Sequence, residues 1–166
     1  MNLFPKAALL CLAASLPYLT AQPVKTKAAN ATPEVLFVCE HGAAKSIIAA
    51  AEFNRMAKAR GLPYRAVSRG TNPDAQFSEA TLKGLKKDRL PEPKGKPQMV
   101  TSADVTRASR VVTLGCNLPD SVGGSAKTED WNDISSPGKD YDSARKDIDR
   151  RLEKLLGQLS QTAAKK

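Results

Sequence analysis

In the body of the chain the first apolar run is Glu34-Val35-Leu36-Phe37-Val38, short and rich in β-forming residues. An unbroken run of this length predicts a strand buried on both faces, as in a parallel sheet. Ser46 to Arg60 contains neither Gly nor Pro, and Ala49, Ala50, Phe53, Met56 and Ala57 recur at helical spacing. That segment predicts a helix packed partly through small residues and ended by Gly61 and Pro63. Tyr64 to Val67 predicts a second strand, ending at Ser68-Arg69-Gly70. Ser78 to Leu90 predicts a second helix, followed by a loop rich in proline and lysine. Thr101 or Ser102 can cap a short helix through Ala108, before a third strand, Arg110 to Leu114, that stops at Gly115-Cys116. A short fourth strand is expected near Lys127 to Trp131, and a last helix from Tyr141 to Leu159 with Ala144, Ile148, Leu152, Leu155 and Leu156 as its apolar stripe.

Strands alternating with helices imply an α/β fold with a parallel sheet covered by helices on both faces. Sites in such folds collect at the carboxyl ends of the strands. Cys39, Ser68 and Cys116 each stand just past a predicted strand, which places them along one rim. A chain of 166 residues fits a single domain, and no internal repeat is visible.

The ends read differently. Met1 to Lys6 is short with one positive charge, Ala7 to Tyr18 is apolar apart from Ser15, and Leu19-Thr20-Ala21 offers a cleavage site. Residues 1–21 therefore read as a secretory signal, too short to span a bilayer comfortably, and the mature protein is expected in the periplasm or outside the cell. Residues 22–33 are polar and alanine-rich, as in a flexible tether. Residues 34–160 form the domain, and 161–166 a basic tail. Cleavage after Ala21 removes one basic residue, Lys6, and lowers the formal net charge from +9 to +8. Such a balance attracts anions. The basic residues are interleaved with acids, however, and aromatics make up only 5% of the chain. That excludes an aromatic stacking platform for single-stranded nucleic acid, and no specific nucleic-acid partner is expected. Three cysteines are too few for a disulfide scaffold, and the single histidine, His41, cannot build a multi-histidine metal site. No metal or cofactor is expected.

The chemistry concentrates in Cys39-Glu40-His41-Gly42-Ala43-Ala44-Lys45-Ser46, which joins the first strand to the first helix. Such a junction points backbone N–H groups and the positive end of a helix dipole at one place. Gly42, Ala43 and Ala44 let the backbone curl closely around an anion, and Lys45 adds a full positive charge. Cys39 at the mouth supplies a thiolate that such a cradle favours. A thiolate inside an oxyanion cradle suits attack on a phosphate monoester or on arsenate. The spacing alone is equally compatible with a buried cysteine beside an ordinary helix start.

Val35 to Cys39, five residues, a basic residue and Ser46 together resemble the signature of low-molecular-weight protein tyrosine phosphatases and their arsenate reductase relatives. Ser68-Arg69-Gly70-Thr71, Lys96-Pro97, Val111 to Cys116, Trp131 with a following proline, and the last helix extend the similarity over about residues 34 to 160. The resemblance implies the three-layer phosphotyrosine protein phosphatase I-like fold, with a four-stranded parallel sheet in the order 2-1-3-4. It implies Cys39 as nucleophile through a phospho-cysteine, Ser46 as hydrogen-bond partner of the sulfur, and the amides of Glu40, His41, Gly42, Ala43 and Ala44 as holders of the phosphate oxygens. It also implies a general acid. The expected activity is hydrolysis of phosphotyrosine or another phosphate monoester on a protein or small molecule. The alternatives are a non-catalytic binder of an oxyanion or phospho-ligand, and an arsenate reductase served by a thiol reductant.

Two positions depart from the family pattern. Lys45 replaces an arginine, exchanging a planar two-pronged donor for a point charge on a flexible stem. Ser136-Pro137 stands where the family carries Asp-Pro, and serine is a poor proton donor. Asp133 is the nearest substitute acid, Glu40 a weaker one, and His41 is expected to shape or line the pocket. Cys116 is expected near Cys39. It is read either as a core cysteine at a strand end or as a redox partner forming a disulfide with Cys39. The resemblance to thioredoxin-coupled arsenate reductases, which use two additional cysteines to relay a disulfide away from the nucleophile, implies a third cysteine where Leu118-Pro119 stands, so the full relay is not expected. The export reading predicts a mature chain that begins at Gln22 in the periplasmic fraction of a bacterial host. N-terminal sequencing that finds only Met1, retained with membranes, would contradict it.

Overall fold

In a computed structural model that describes residues 32–124 and 128–164, strand β1 (Glu34–Cys39) is buried along its whole length. It pairs in parallel with β2 (Arg65–Gly70) on one side and β3 (Ala108–Thr113) on the other. The short β4 (Thr128–Asp130) adds to β3, giving the order β2-β1-β3-β4. This is the four-stranded parallel sheet expected from the resemblance. The signal segment and nearly all of the tether lie outside the described residues.

The alternation of β1 side chains explains the layers. Val35, Phe37 and Cys39 join a core with Ile48, Phe53 and Met56 of helix α1 (Lys45–Ala59) and Ile148, Leu152 and Leu156 of helix α4 (Tyr141–Ala164). Leu36 and Val38 face the other way and pack with Val100, Val111 and Val105 of helix α3 (Ser102–Arg107). Helix α2 (Glu79–Lys87) places Leu85 against Ile47 in a third cluster. Trp131, fully buried just past β4, sits 5.8 Å from the Phe37 ring and donates its indole N–H to Glu129.

Several boundaries differ from the sequence expectation for identifiable reasons. Helix α2 stops at Lys87, because Asp88 caps it and Arg89 takes a positive φ of 57°. Helix α3 starts with a full capping box between Thr101 and Asp104. Strand β3 begins two residues early, at Ala108. Helix α4 continues to Ala164 through part of the segment read as a basic tail, with Leu159 still buried. A short 3-10 turn at Asp120–Val122 carries no hydrophobic period and was invisible to that reading. Among the described residues no helix is long and apolar enough to cross a membrane.

The exposed edge of β2 is closed by side chain and loop. Asn54 of α1 donates to the Ala66 carbonyl at 3.1 Å and accepts from the Ala66 N–H at 2.7 Å. At the other end Gly70 donates to the Gln98 carbonyl, and its own carbonyl accepts from Val100. The edge therefore offers little to a foreign strand.

Helices α1 and α4 are joined by charge as well as by apolar contact. Glu52, fully buried, accepts from Arg145 at 2.5 Å and from Arg55 at 2.6 Å. Removing the carboxylate leaves Arg145 with Asp88 at 3.2 Å and Asp149 at 3.7 Å, so the charge that stays is still compensated in part. The loss is then that of charge-assisted hydrogen bonds, about 1.5–3 kcal/mol. Glu52→Ala should therefore lower unfolding free energy by about that much in a denaturant titration. A change below about 0.5 kcal/mol, as for an ordinary surface substitution, would contradict the assignment.

Candidate active site

The five residues between β1 and α1 owe their shape to hydrogen bonds made from outside. The N–H groups of Thr71, Asn72, Asp74 and Ser78 donate to the carbonyls of Cys39, Glu40, His41 and Ala43 at 3.1, 2.8, 3.1 and 3.0 Å. In a trans peptide the carbonyl of one residue and the N–H of the next point in opposite directions. Pulling these four carbonyls outward therefore turns the N–H groups of Glu40, His41, Gly42 and Ala44 inward. No N–H from Glu40 to Ser46 donates to a protein acceptor among the described residues. Ala44 is the N-cap of α1 and has no side chain that could occupy those first-turn amides. The result is a concave set of donors beside the cysteine.

Two glycines permit the fit. Gly42 has φ +60°, and a methyl group on it would stand 2.8 Å from the Gly70 nitrogen. A methyl on Gly70 would stand 2.8 Å from the Gly42 nitrogen. The loop and the end of β2 touch backbone to backbone, and no larger residue fits either place.

Cys39 is 5% exposed, with Sγ 3.2 Å from the hydroxyl of fully buried Ser46. When the sulfur is a thiolate, only the hydroxyl can donate in that pair. Lys45 is half-buried. Its Nζ would lie 3.6 Å from a methyl on Gly115, next to the Asn132 carbonyl, so the ammonium reaches the rim formed by the ends of β3 and β4. It pairs with no carboxylate among the described residues. The structure thus brings Cys39, Ser46, Lys45 and the amides of Glu40, His41, Gly42 and Ala44 together, while nothing turns the Ala43 amide the same way.

Other expected residues stand differently. Asp133 is exposed and paired with Arg151 of α4, whose guanidinium also lies over the Trp131 ring. Among the described residues Asp133 makes no hydrogen bond or ion pair with the loop. Ser136 is exposed, and its carbonyl accepts from Lys139 and Asp140 in the turn before α4. His41 leaves the loop toward solvent. Its Nδ1 lies 3.1 Å from Asp74 Oδ1 and its Nε2 3.8 Å from Glu40 Oε2, with both acids exposed. Cys116 donates its thiol to the Val38 carbonyl at 3.5 Å, one residue before Cys39. Both described cysteines are free. Burial first, then the charge on Cys39, pushes the Cys116 thiol up to about 11.

The segment that ties the loop, Thr71 to Ser78, escaped sequence reasoning. Asn72-Pro73-Asp74 signals a turn, but nothing in a turn signal says what it will rest against. A cavity of about 320 Å³ lies on the far side of Gly42, lined by Ile47, Asn54, Arg69, Phe77 and the 91–98 segment, and Cys39 is not in its wall. Among the described residues no three His, Cys, Asp or Glu side chains form a metal-binding group.

A family model described as "Low molecular weight phosphotyrosine protein phosphatase" matches residues 34–165. An arsenate reductase from Archaeoglobus fulgidus is 31% identical over 74% of this chain and 98% of its own, with a TM-score of 0.62. A low molecular weight protein tyrosine phosphatase from T. tengcongensis is 20% identical over 76% of this chain and 99% of its own, with a TM-score of 0.66. A thioredoxin-dependent arsenate reductase from Corynebacterium glutamicum is 24% identical over 82% of this chain, with a TM-score of 0.68, and this chain spans 66% of its length.

The raised Cys116 thiol generates a prediction. Alkylation followed by peptide mapping should leave Cys116 unmodified at neutral pH and label it only as the pH nears about 11. Rapid labelling at neutral pH would contradict the burial that protects it.

Proposed function

Because this chain belongs to the low molecular weight phosphotyrosine protein phosphatase family, we propose that it hydrolyses phosphate monoesters, phosphotyrosine among them, through a phospho-cysteine on Cys39. The observation that carries the reading is the ring of inward amides beside the sulfur, fixed by four outward carbonyls. The thiolate attacks phosphorus, the S–P bond forms and the bond to the ester oxygen breaks. Charge on the equatorial oxygens meets the amides of Glu40, His41, Gly42 and Ala44 to Ser46 and the Lys45 ammonium in a preorganised site. Ser46 donates to the sulfur and eases its departure when water attacks the phospho-cysteine. The partner is a phosphorylated protein or a small phosphate ester met outside the cytoplasm.

Lys45 carries the charge of the family arginine without its two-pronged geometry. A lost oxyanion donor costs roughly 10²–10³ in rate, and a retained charge costs less. Arsenate reduction is a second reading, favoured by the likeness to arsenate reductases. The Cys116 thiol, protonated and held to a carbonyl, is a poor attacking group for it. Arsenite release that depends on an added thiol would mark that activity.

The test is turnover of an aryl phosphate by reduced protein. Cys39→Ser should abolish it, and Lys45→Arg should raise kcat/KM by roughly tenfold. Phosphate binding by calorimetry without any hydrolysis would replace the enzyme with a binding module.

A further inference from the structure

The outer edge of β2 is closed at both ends and open between them. Backbone polar groups of successive residues alternate sides along a strand. Arg65 turns its N–H toward the β1 side, where the Pro33 carbonyl accepts it, so Ala66, Ser68 and Gly70 turn theirs outward. Asn54 takes both groups of Ala66, and Gln98 and Val100 take both groups of Gly70. The Ser68 carbonyl accepts from Arg69 Nη1 at 2.8 Å. The Ser68 N–H donates to no protein acceptor among the described residues. Were the pairing of Gly70 with the 98–100 segment to run one step further back, the Lys96 carbonyl would take that N–H. The chain instead leaves the edge through Pro97, Gly95 at φ +77° and Pro93. The space it leaves is the cavity of about 320 Å³, and Ser68 stands in its wall.

We propose that this cavity binds a small aromatic carboxylate. The Ser68 N–H, half-buried, is a strand donor waiting for an acceptor, and an anion satisfies it better than a neutral group does. Lys94 and Lys96 stand exposed on the same wall and pair with no carboxylate among the described residues. Glu92 is the one acid in that wall, and Arg69 is already held by Asp104 at 3.1 Å. Two free ammonium groups against one carboxylate favour an anionic head. Ile47 and Ala50 of α1, Phe77, and Pro93 and Pro97 of the returning segment offer apolar surface to a ring. A volume of this size is at the small end of ligand pockets, roughly 300–1,000 Å³, with room for one or two fused rings and a carboxylate.

The cavity is separate from the phosphate cradle. Cys39, Lys45 and Ser46 are not in its wall, and Gly42 is the partition the two share. An occupant therefore meets the loop from behind, leaves the place of the anion open, and binds whether or not Cys39 turns over a substrate.

The test is amide NMR of the isotopically labelled, full-length reduced protein, titrated with 2-naphthoate in the presence of saturating inorganic phosphate. The Ser68 and Gly42 amides should shift and saturate with one affinity while phosphate stays bound. 2-Naphthamide, of the same shape without the charge, should bind about tenfold more weakly, the worth of one charge-assisted bond. Replacing both rim lysines, Lys94→Ala with Lys96→Ala, should weaken naphthoate several-fold and leave the response of the cradle amides to phosphate unchanged. Ala51→Phe, which fills the cavity from α1, should abolish naphthoate binding. Displacement of naphthoate by phosphate, equal affinity for the uncharged amide, or no saturable shift of Ser68 at millimolar naphthoate would overturn the proposal.

Discussion

Four main-chain hydrogen bonds from Thr71, Asn72, Asp74 and Ser78 hold the carbonyls of the Cys39–Ala43 stretch away from its centre. Everything chemical in this molecule depends on that constraint. A loop of the same sequence left to itself would exchange among many conformations, and its amides would point at solvent. Pinned from outside, it presents those amides to one point at no cost of reorganisation when an anion arrives. The Gly42–Gly70 contact lets the pinning segment come close enough. The uncapped start of α1 at Ala44 leaves the helix amides in the same set.

The fold was legible because its central strand states itself. Val35 to Val38 is apolar on both faces, and only a strand with helices above and below satisfies that. The alternation of strands and helices then fixed a parallel sheet, and the family resemblance supplied its order. What stayed hidden was local geometry decided by neighbours. Arg89 ends α2 by its conformation, and no residue type announces this. The extension of α4 beyond Leu159 runs through residues with no apolar period of their own. Cys39, Ser46 and Lys45 could be placed at the site because they belong to one continuous loop. Asp74 could not, since its N–H reaches the His41 carbonyl across more than thirty residues of chain.

On the phosphatase reading proposed above, the two departures from the family pattern act on different parts of the reaction. Lys45 changes how charge on the phosphoryl oxygens is met, and it leaves the amide ring untouched. Ser136 removes a proton donor from the far rim, where Asp133 is occupied with Arg151 and the Trp131 face. The molecule keeps its binding geometry and loses its usual acid. Cys116, bonded to the Val38 carbonyl and kept protonated by burial, contributes packing at the base of the loop.

The account stands on the amides of residues 40–42 and 44–46 converging on an anion beside Cys39. The most direct measurement is a titration of the isotopically labelled, reduced protein with inorganic phosphate, followed by amide NMR. The amide resonances of Glu40, His41, Gly42, Ala44, Lys45 and Ser46 should move together and saturate with one affinity, with little change elsewhere. Saturating phosphate that leaves these amides unmoved, or shifts centred on another surface, would contradict the account.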